Sequence, residues 1–99
     1  MKIAKELKEK FEIALESNDP SESLWKLAHD LRNQGMKQIE LYFLYEHYHQ
    51  LVDADDPKYD AIVDSLDIIW GGAWAIANAL YEHELTSEEV QKFRTDISK

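Results

Sequence analysis

The chain has 99 residues, enough for one domain with a single core, and 44% of them are hydrophobic, which argues against intrinsic disorder. Its 20 acidic and 11 basic side chains give a formal net charge of −9, which disfavours binding to nucleic-acid phosphates and anionic membranes. The sequence contains no cysteine, which excludes disulfides, thiolate catalysis and thiolate metal sites within it.

Targeting and membrane signals are also missing from the sequence. The first residues, MKIAKELKEKFEIALE, are charged throughout and lack the apolar core of a signal peptide. No apolar run approaches the roughly 20 residues that a membrane span needs. We therefore expect a cytoplasmic protein that binds neither membranes nor nucleic acid.

The first two predicted helices are separated by a clear stop signal. Apolar residues three or four apart predict the first helix over about 2–16. Asp19 followed by Pro20 is typical of the start of a helix, which predicts the second. That helix should run to about residue 34, because Gly35 can adopt the left-handed conformation that ends helices.

A third helix is predicted over about 37–52, where the apolar residues cover two faces near its start. A short acidic loop follows it. Asp56 is expected to cap the next helix, with Pro57 as its first residue.

The fourth predicted helix is the longest, over about 57–85. Its apolar residues recur at helical spacing: Tyr59, Ile62, Leu66, Ile69, Ala73, Ile76 and Leu80. Gly71 and Gly72 cost about 2 kcal/mol of helix propensity relative to alanine and favour a break. Since the apolar phase passes through them unchanged, we expect a continuous or kinked helix instead. Thr86 and Glu89 then predict a capping box and a last helix to about residue 97.

These elements predict a single all-α domain over 1–99, a compact bundle of four to five antiparallel helices with short loops. No strand pattern or internal repeat is present. The predicted core comprises Leu7, Phe11, Leu27, Leu31, Leu41, Leu44, Tyr48, Ile62, Leu66, Ile69 and Ile76.

An acidic row on the fourth helix is the main functional signal. Asp60, Asp64 and Asp67 share one helical face, and with Asp56 they form a stripe centred about 145° from the centre of the predicted apolar face. Asp53, Asp55 and Asp56 precede them in the loop. Crowded carboxylates relieve their repulsion by binding a cation or a basic side chain, although acidic faces often serve only solubility.

The row permits two competing interpretations. In the first, it binds a basic protein, with Tyr59 and Trp70 as neighbouring aromatic anchors. In the second, a metal-dependent hydrolase of a phosphorylated small molecule would hold Mg²⁺ with Asp60, Asp64 and Asp67, and Glu46 or His49 of the third helix would complete the site. The outward direction of the row favours the first, and we predict neither a cofactor nor a catalytic residue. A structural or adaptor role is a third alternative.

Two segments carry a resemblance to a known group. LAHDLRNQGMKQIELYFLYEHY and YDAIVDSLDIIWGG resemble small uncharacterised bacterial all-α proteins with LxxxGxxQxxLYxxFExY and DxLxDxLDxIxG patterns. The chain departs from these at Tyr45, where Phe is expected, and at Ile62, where Leu is expected. Some small acidic helical proteins of this kind look like immunity proteins, which neutralise a toxin in the cell that produces it. No activity or catalytic residue follows from this resemblance. Together with the acidic row, which would complement a positive surface, it leads us to expect an immunity protein that inhibits a basic toxin such as a nuclease.

Overall fold

The computed structural model describes residues 4–71, 80, 81 and 83–97, and in this part of the chain the protein forms five α-helices and no strand. The helices are α1 (Lys5–Leu15), α2 (Pro20–Asn33), α3 (Gln38–Leu51), α4 (Pro57–Trp70) and α5 (Ser87–Ile97). The predicted all-α bundle of four to five helices is confirmed. None of the described helices is both long and apolar enough to cross a bilayer.

Side chains at the helix ends explain most of these boundaries. The Asp19 carboxylate accepts a hydrogen bond from the Glu22 amide at 3.2 Å, and Asp56 accepts one from the Lys58 amide at 2.9 Å. The Thr86 hydroxyl accepts from the Glu89 amide at 3.1 Å. Each bond satisfies an amide that the first turn of a helix leaves unpaired. These predicted caps are confirmed.

The core is centred on Phe11 of α1, which is fully buried. Its ring stacks on Tyr48 with centroids 4.2 Å apart and meets Tyr45 edge-on at 4.8 Å. The Tyr45 hydroxyl donates to the Leu24 carbonyl at 2.5 Å, so the largest buried polar side chain on α3 is satisfied by α2. One cluster of rings thus joins α1, α2 and α3.

Most of the predicted core is confirmed. Seven of the named residues are buried: Phe11, Leu31, Leu41, Leu44, Tyr48, Ile62 and Ile69. Leu7, Leu27 and Leu66 are partly buried against them, and Ile76 lies outside the described residues.

The buried face of α4 differs from the predicted one. Its buried residues are Ala61, Ile62, Ser65, Ile68 and Ile69, whose centre is rotated by about 80° from that of the predicted face. The reason is the position of α4 against both α2 and α3. Ala61 and Ser65 are small and buried on this face, and Tyr59 and Leu66 of the predicted apolar face are only partly buried.

The predicted helix over 57–85 is wrong, because α4 ends at Trp70. Gly71 has a φ of 86°, a left-handed conformation that stops the helix. The chain then folds back: the Leu80 amide donates to the Ile68 carbonyl at 3.0 Å, and the Leu85 amide donates to the Trp70 carbonyl at 2.9 Å. The helical spacing of apolar residues continues past Gly71, but it did not require a continuous helix. Leu80 is buried although it lies in the segment that folds back. The structure of residues 72–79 lies outside the described part.

Three side chains bind the end of α4 and the returning segment to α2 and α3. The Gln38 amide donates to the carbonyls of Ile69 at 2.9 Å and His83 at 2.6 Å. The Arg32 guanidinium donates to the Leu80 carbonyl at 2.9 Å, and the Tyr81 hydroxyl donates to the Met36 carbonyl at 2.7 Å. These bonds satisfy carbonyls that the helix end and the loop would otherwise leave unpaired.

Candidate functional site

A groove of about 420 Å³ lies between α3 and α4, at the small end of the roughly 300–1,000 Å³ typical of ligand pockets. We call it the aromatic groove. The described residues that line it are Tyr42 and His49 from α3, and Tyr59, Val63, Leu66, Asp67 and Trp70 from α4.

Two ring pairs join the walls of the aromatic groove. Tyr42 meets Trp70 with centroids 5.4 Å apart and planes at 62°. His49 meets Tyr59 with centroids 4.4 Å apart and planes at 34°. Tyr42 and His49 are two helical turns apart on α3, which places the two pairs at separate points along the groove. Ring contacts therefore join the two helices at two points along the groove.

Desolvation affects two ionisable groups of the groove. Burial is the main cause that raises the pKa of Tyr42 to about 12, and the carboxylate of Glu46 adds to the shift. Partial burial, followed by repulsion from Asp64, raises the pKa of Asp67 above its ordinary value. The Asp67 carboxylate is thus less well solvated than a free aspartate, and a neighbouring cation would stabilise its charged form.

The acidic row (Asp60, Asp64 and Asp67) lies on the exposed surface of α4 beside the groove. Asp67 belongs to both, because it lines the groove and also follows Asp64 by three residues on the helix. Tyr59 and Trp70 are each partly buried and line the groove, and their role as aromatic anchors stays a prediction.

The loop aspartates have different roles. Asp53 and Asp55 are exposed and can extend the negative surface. The side chain of Asp56 is partly buried and accepts a hydrogen bond from the Lys58 amide, so it caps α4. Lys58 in turn pairs with Glu16, which directly follows α1, at 2.8 Å, so its positive charge is balanced by that carboxylate.

The five residues considered for a metal site are not brought together. Among the described residues, no group of three histidine, aspartate or glutamate side chains is close enough to hold an ion. Glu46 instead accepts a hydrogen bond from the Arg94 guanidinium at 2.6 Å. His49 faces the aromatic groove.

Sequence reasoning missed the contribution of α3 to the site. Tyr42 was not considered, His49 was considered only as a metal ligand, and Val63 and Leu66 were assigned no site role. The spacing of Tyr42 and His49, seven residues apart, is a signal of a shared helical face. This spacing predicts a site residue only when it is also known that α4 lies beside α3.

A second groove of about 420 Å³ lies between α1 and α2. Its lining includes Lys10 and Lys26 with only one carboxylate, from Asp30, and lacks aromatic rings among the described residues. The lysines of this second groove disfavour the approach of a basic protein. Among the described residues that line the aromatic groove there is no lysine or arginine.

In comparisons with known proteins, no family model, curated protein or solved structure matches the chain. The suggested resemblance to small bacterial helical proteins therefore stays a prediction.

Proposed function

We propose that the protein binds a basic protein partner through the acidic row and the adjoining aromatic groove. The observation that carries this proposal is the position of Asp67, which lines the groove and ends the row. A charged surface and an aromatic groove are thus continuous on one side of α4. Protein interfaces commonly combine a buried aromatic centre with a charged rim.

The two parts of this surface have different tasks. Exposed charges steer the encounter with a partner of opposite charge and mainly raise the association rate. Rings that become fully buried mainly slow dissociation, because separation exposes them to water again. The net charge of −9 extends the attraction beyond the contact surface.

A narrower form of the proposal is an immunity protein that neutralises a basic toxin such as a nuclease. Nucleases bind phosphates with positive surfaces, so an acidic partner of this size can cover such a surface. This form requires that the partner loses its toxic activity in the complex. Direct assay of the partner with and without the protein tests it separately from binding.

The experiment is an affinity purification from cells of the source organism with three baits. The first is the wild type. In the second, Asp60→Lys and Asp64→Lys reverse the row. In the third, Glu88→Lys and Asp96→Lys make the same charge change on α5. Asp60 and Glu88 both lie in the first turn of a helix and all four residues are exposed, so the two double variants are matched.

We expect a basic protein that the wild type and the α5 variant retain and the row variant loses. Circular dichroism of all three baits verifies that the helices are intact. Recovery of the same partner by all three baits, or of no basic protein by any of them, would contradict the proposal.

A further inference from the structure

The aromatic groove has the chemical features of a site for a planar cation. Its ends are the Tyr42–Trp70 and His49–Tyr59 ring pairs, and its one described carboxylate is that of Asp67. Aromatic faces attract cations through the negative potential above the ring, and the attraction increases when both partners are shielded from water. The groove thus combines ring faces with one negative charge.

The protein already binds one guanidinium in this way, on the adjacent side of α3. Arg94 of α5 lies 5.5 Å from the centre of the Phe43 ring, and its Nη2 donates to Glu46 at 2.6 Å. Phe43 and Glu46 are neighbours of Tyr42 on the helix, being one and four residues from it. An aromatic ring and a carboxylate of α3 thus hold the chain's own arginine.

The aromatic groove contains the same kinds of group, because the rings of Tyr42 and Trp70 and the carboxylate of Asp67 all line it. No lysine or arginine is among the described residues that line it. The Asp67 carboxylate lies close enough to Asp64 for their repulsion to raise its pKa, so a cation there relieves an unfavourable interaction.

We infer that the aromatic groove binds the guanidinium of an arginine side chain presented by the basic partner. A guanidinium is planar, stacks on aromatic rings and donates two parallel hydrogen bonds to one carboxylate, whereas a lysine ammonium is compact and strongly hydrated. This inference rests on the proposed function for the origin of the arginine. The chemistry of the groove can nevertheless be tested without the partner.

The test is a titration of the wild-type protein with N-acetylarginine amide, followed by the NMR signals of the Trp70 indole and the Tyr42 ring. N-acetylcitrulline amide has nearly the same shape as the arginine compound but carries no positive charge. N-acetyllysine amide carries a positive charge but has no planar guanidinium group. The Trp70 signal is assigned with a Trp70→Phe variant. Asp67→Asn removes the carboxylate, and Asp96→Asn removes the same charge from an exposed position on α5.

We expect the arginine compound to shift both signals and to bind about tenfold more tightly than the other two compounds. Asp67→Asn should weaken arginine binding by about tenfold, and Asp96→Asn should leave it unchanged. Equal responses to arginine and citrulline, equal responses to arginine and lysine, or no effect of Asp67→Asn would overturn the inference.

The outcomes separate this inference from the proposed function. A basic partner recovered through the acidic row, together with no arginine response in the groove, contradicts the inference alone. An arginine response in the groove, together with no basic partner recovered, contradicts the proposed function alone.

Discussion

The rings of Tyr42 and Trp70 meet at 62° with centroids 5.4 Å apart, and through them α3 and α4 form one end of the aromatic groove. Trp70 is also the last residue of α4, so its ring lies where the helix stops and the chain turns back. The helix end is fixed by Gln38, whose amide lies 2.9 Å from the Ile69 carbonyl and 3.4 Å from that of Trp70. The geometry of the groove therefore depends on the same contacts that end the helix.

Replacement of Trp70 by alanine should shorten the life of the complex with the basic partner. Buried aromatic anchors contribute about 2 kcal/mol or more, which corresponds to a dissociation rate roughly 30-fold higher. The rate is measured by surface plasmon resonance with the recovered partner. Trp25→Ala is the control, because Trp25 is 39% exposed on α2 and does not line the groove. Equal dissociation rates for the two variants would remove Trp70 from the interface.

Gln38→Glu should destabilise the fold, since the new carboxylate has no N–H to donate to the carbonyls at the end of α4. A buried acceptor left without a partner costs about 1–3 kcal/mol, and the carboxylate adds repulsion from the carbonyl oxygens. The free energy of unfolding is measured with urea. Gln91→Glu makes the same change at an exposed position of α5 and should cost much less. A loss of the same size in both variants would show that charge, and not the hydrogen bonds of Gln38, is responsible.

Tyr45→Phe should lower the free energy of unfolding by about 1 kcal/mol at neutral pH, because the hydrogen bond to the Leu24 carbonyl is lost. Burial also raises the pKa of Tyr45, so the folded protein retains the hydroxyl proton above pH 10, where the unfolded chain releases it. The wild type should therefore lose about 1.4 kcal/mol per pH unit from this group as the pH rises above 10. Urea unfolding between pH 7 and 11 measures both effects. A difference between wild type and Tyr45→Phe that does not shrink above pH 10 would contradict the assigned pKa shift.

Asp67→Asn should stabilise the protein at pH 7. Partial burial and the charge of Asp64 raise the pKa of Asp67 in the folded state, so ionisation of this group opposes folding. The cost is present above the folded pKa and disappears below the unfolded value of about 3.9. The gain should be small because the side chain is exposed and water screens its charge. Thermal unfolding from pH 3 to pH 7 should show a difference that grows with pH, and a difference that grows toward low pH would contradict it.

The parts of the structure that could be predicted from sequence are those determined by neighbouring residues in the chain. Local sequence signals were sufficient to predict the ends of α2 and the starts of α4 and α5. Asp19, Gly35, Asp56 and Thr86 determine these helix ends through contacts with residues close to them in the sequence. The end of α4 could not be predicted in the same way. The bonds that stabilise it come from Gln38 and from the returning segment, which are distant in the sequence.

The candidate site shows the same limit. The acidic row was visible because its members share one helix, and Tyr59 and Trp70 belong to the same helix. The groove needs Tyr42 and His49 from another helix, and the rotation of α4 brings Leu66 toward them. That rotation depends on how α2 and α3 pack against the small residues Ala61 and Ser65. Helical periodicity carries no information about this packing.

The association rate of the recovered basic partner, measured by stopped flow from 20 to about 500 mM salt, tests the central claim most directly. For the wild type and for Glu88→Lys with Asp96→Lys, the rate should fall steeply as salt screens the attraction. For Asp60→Lys with Asp64→Lys, it should be slower by about tenfold or more at low salt and depend much less on salt. A wild-type rate that does not change with salt, or the same salt dependence in both double variants, would contradict binding through the acidic row.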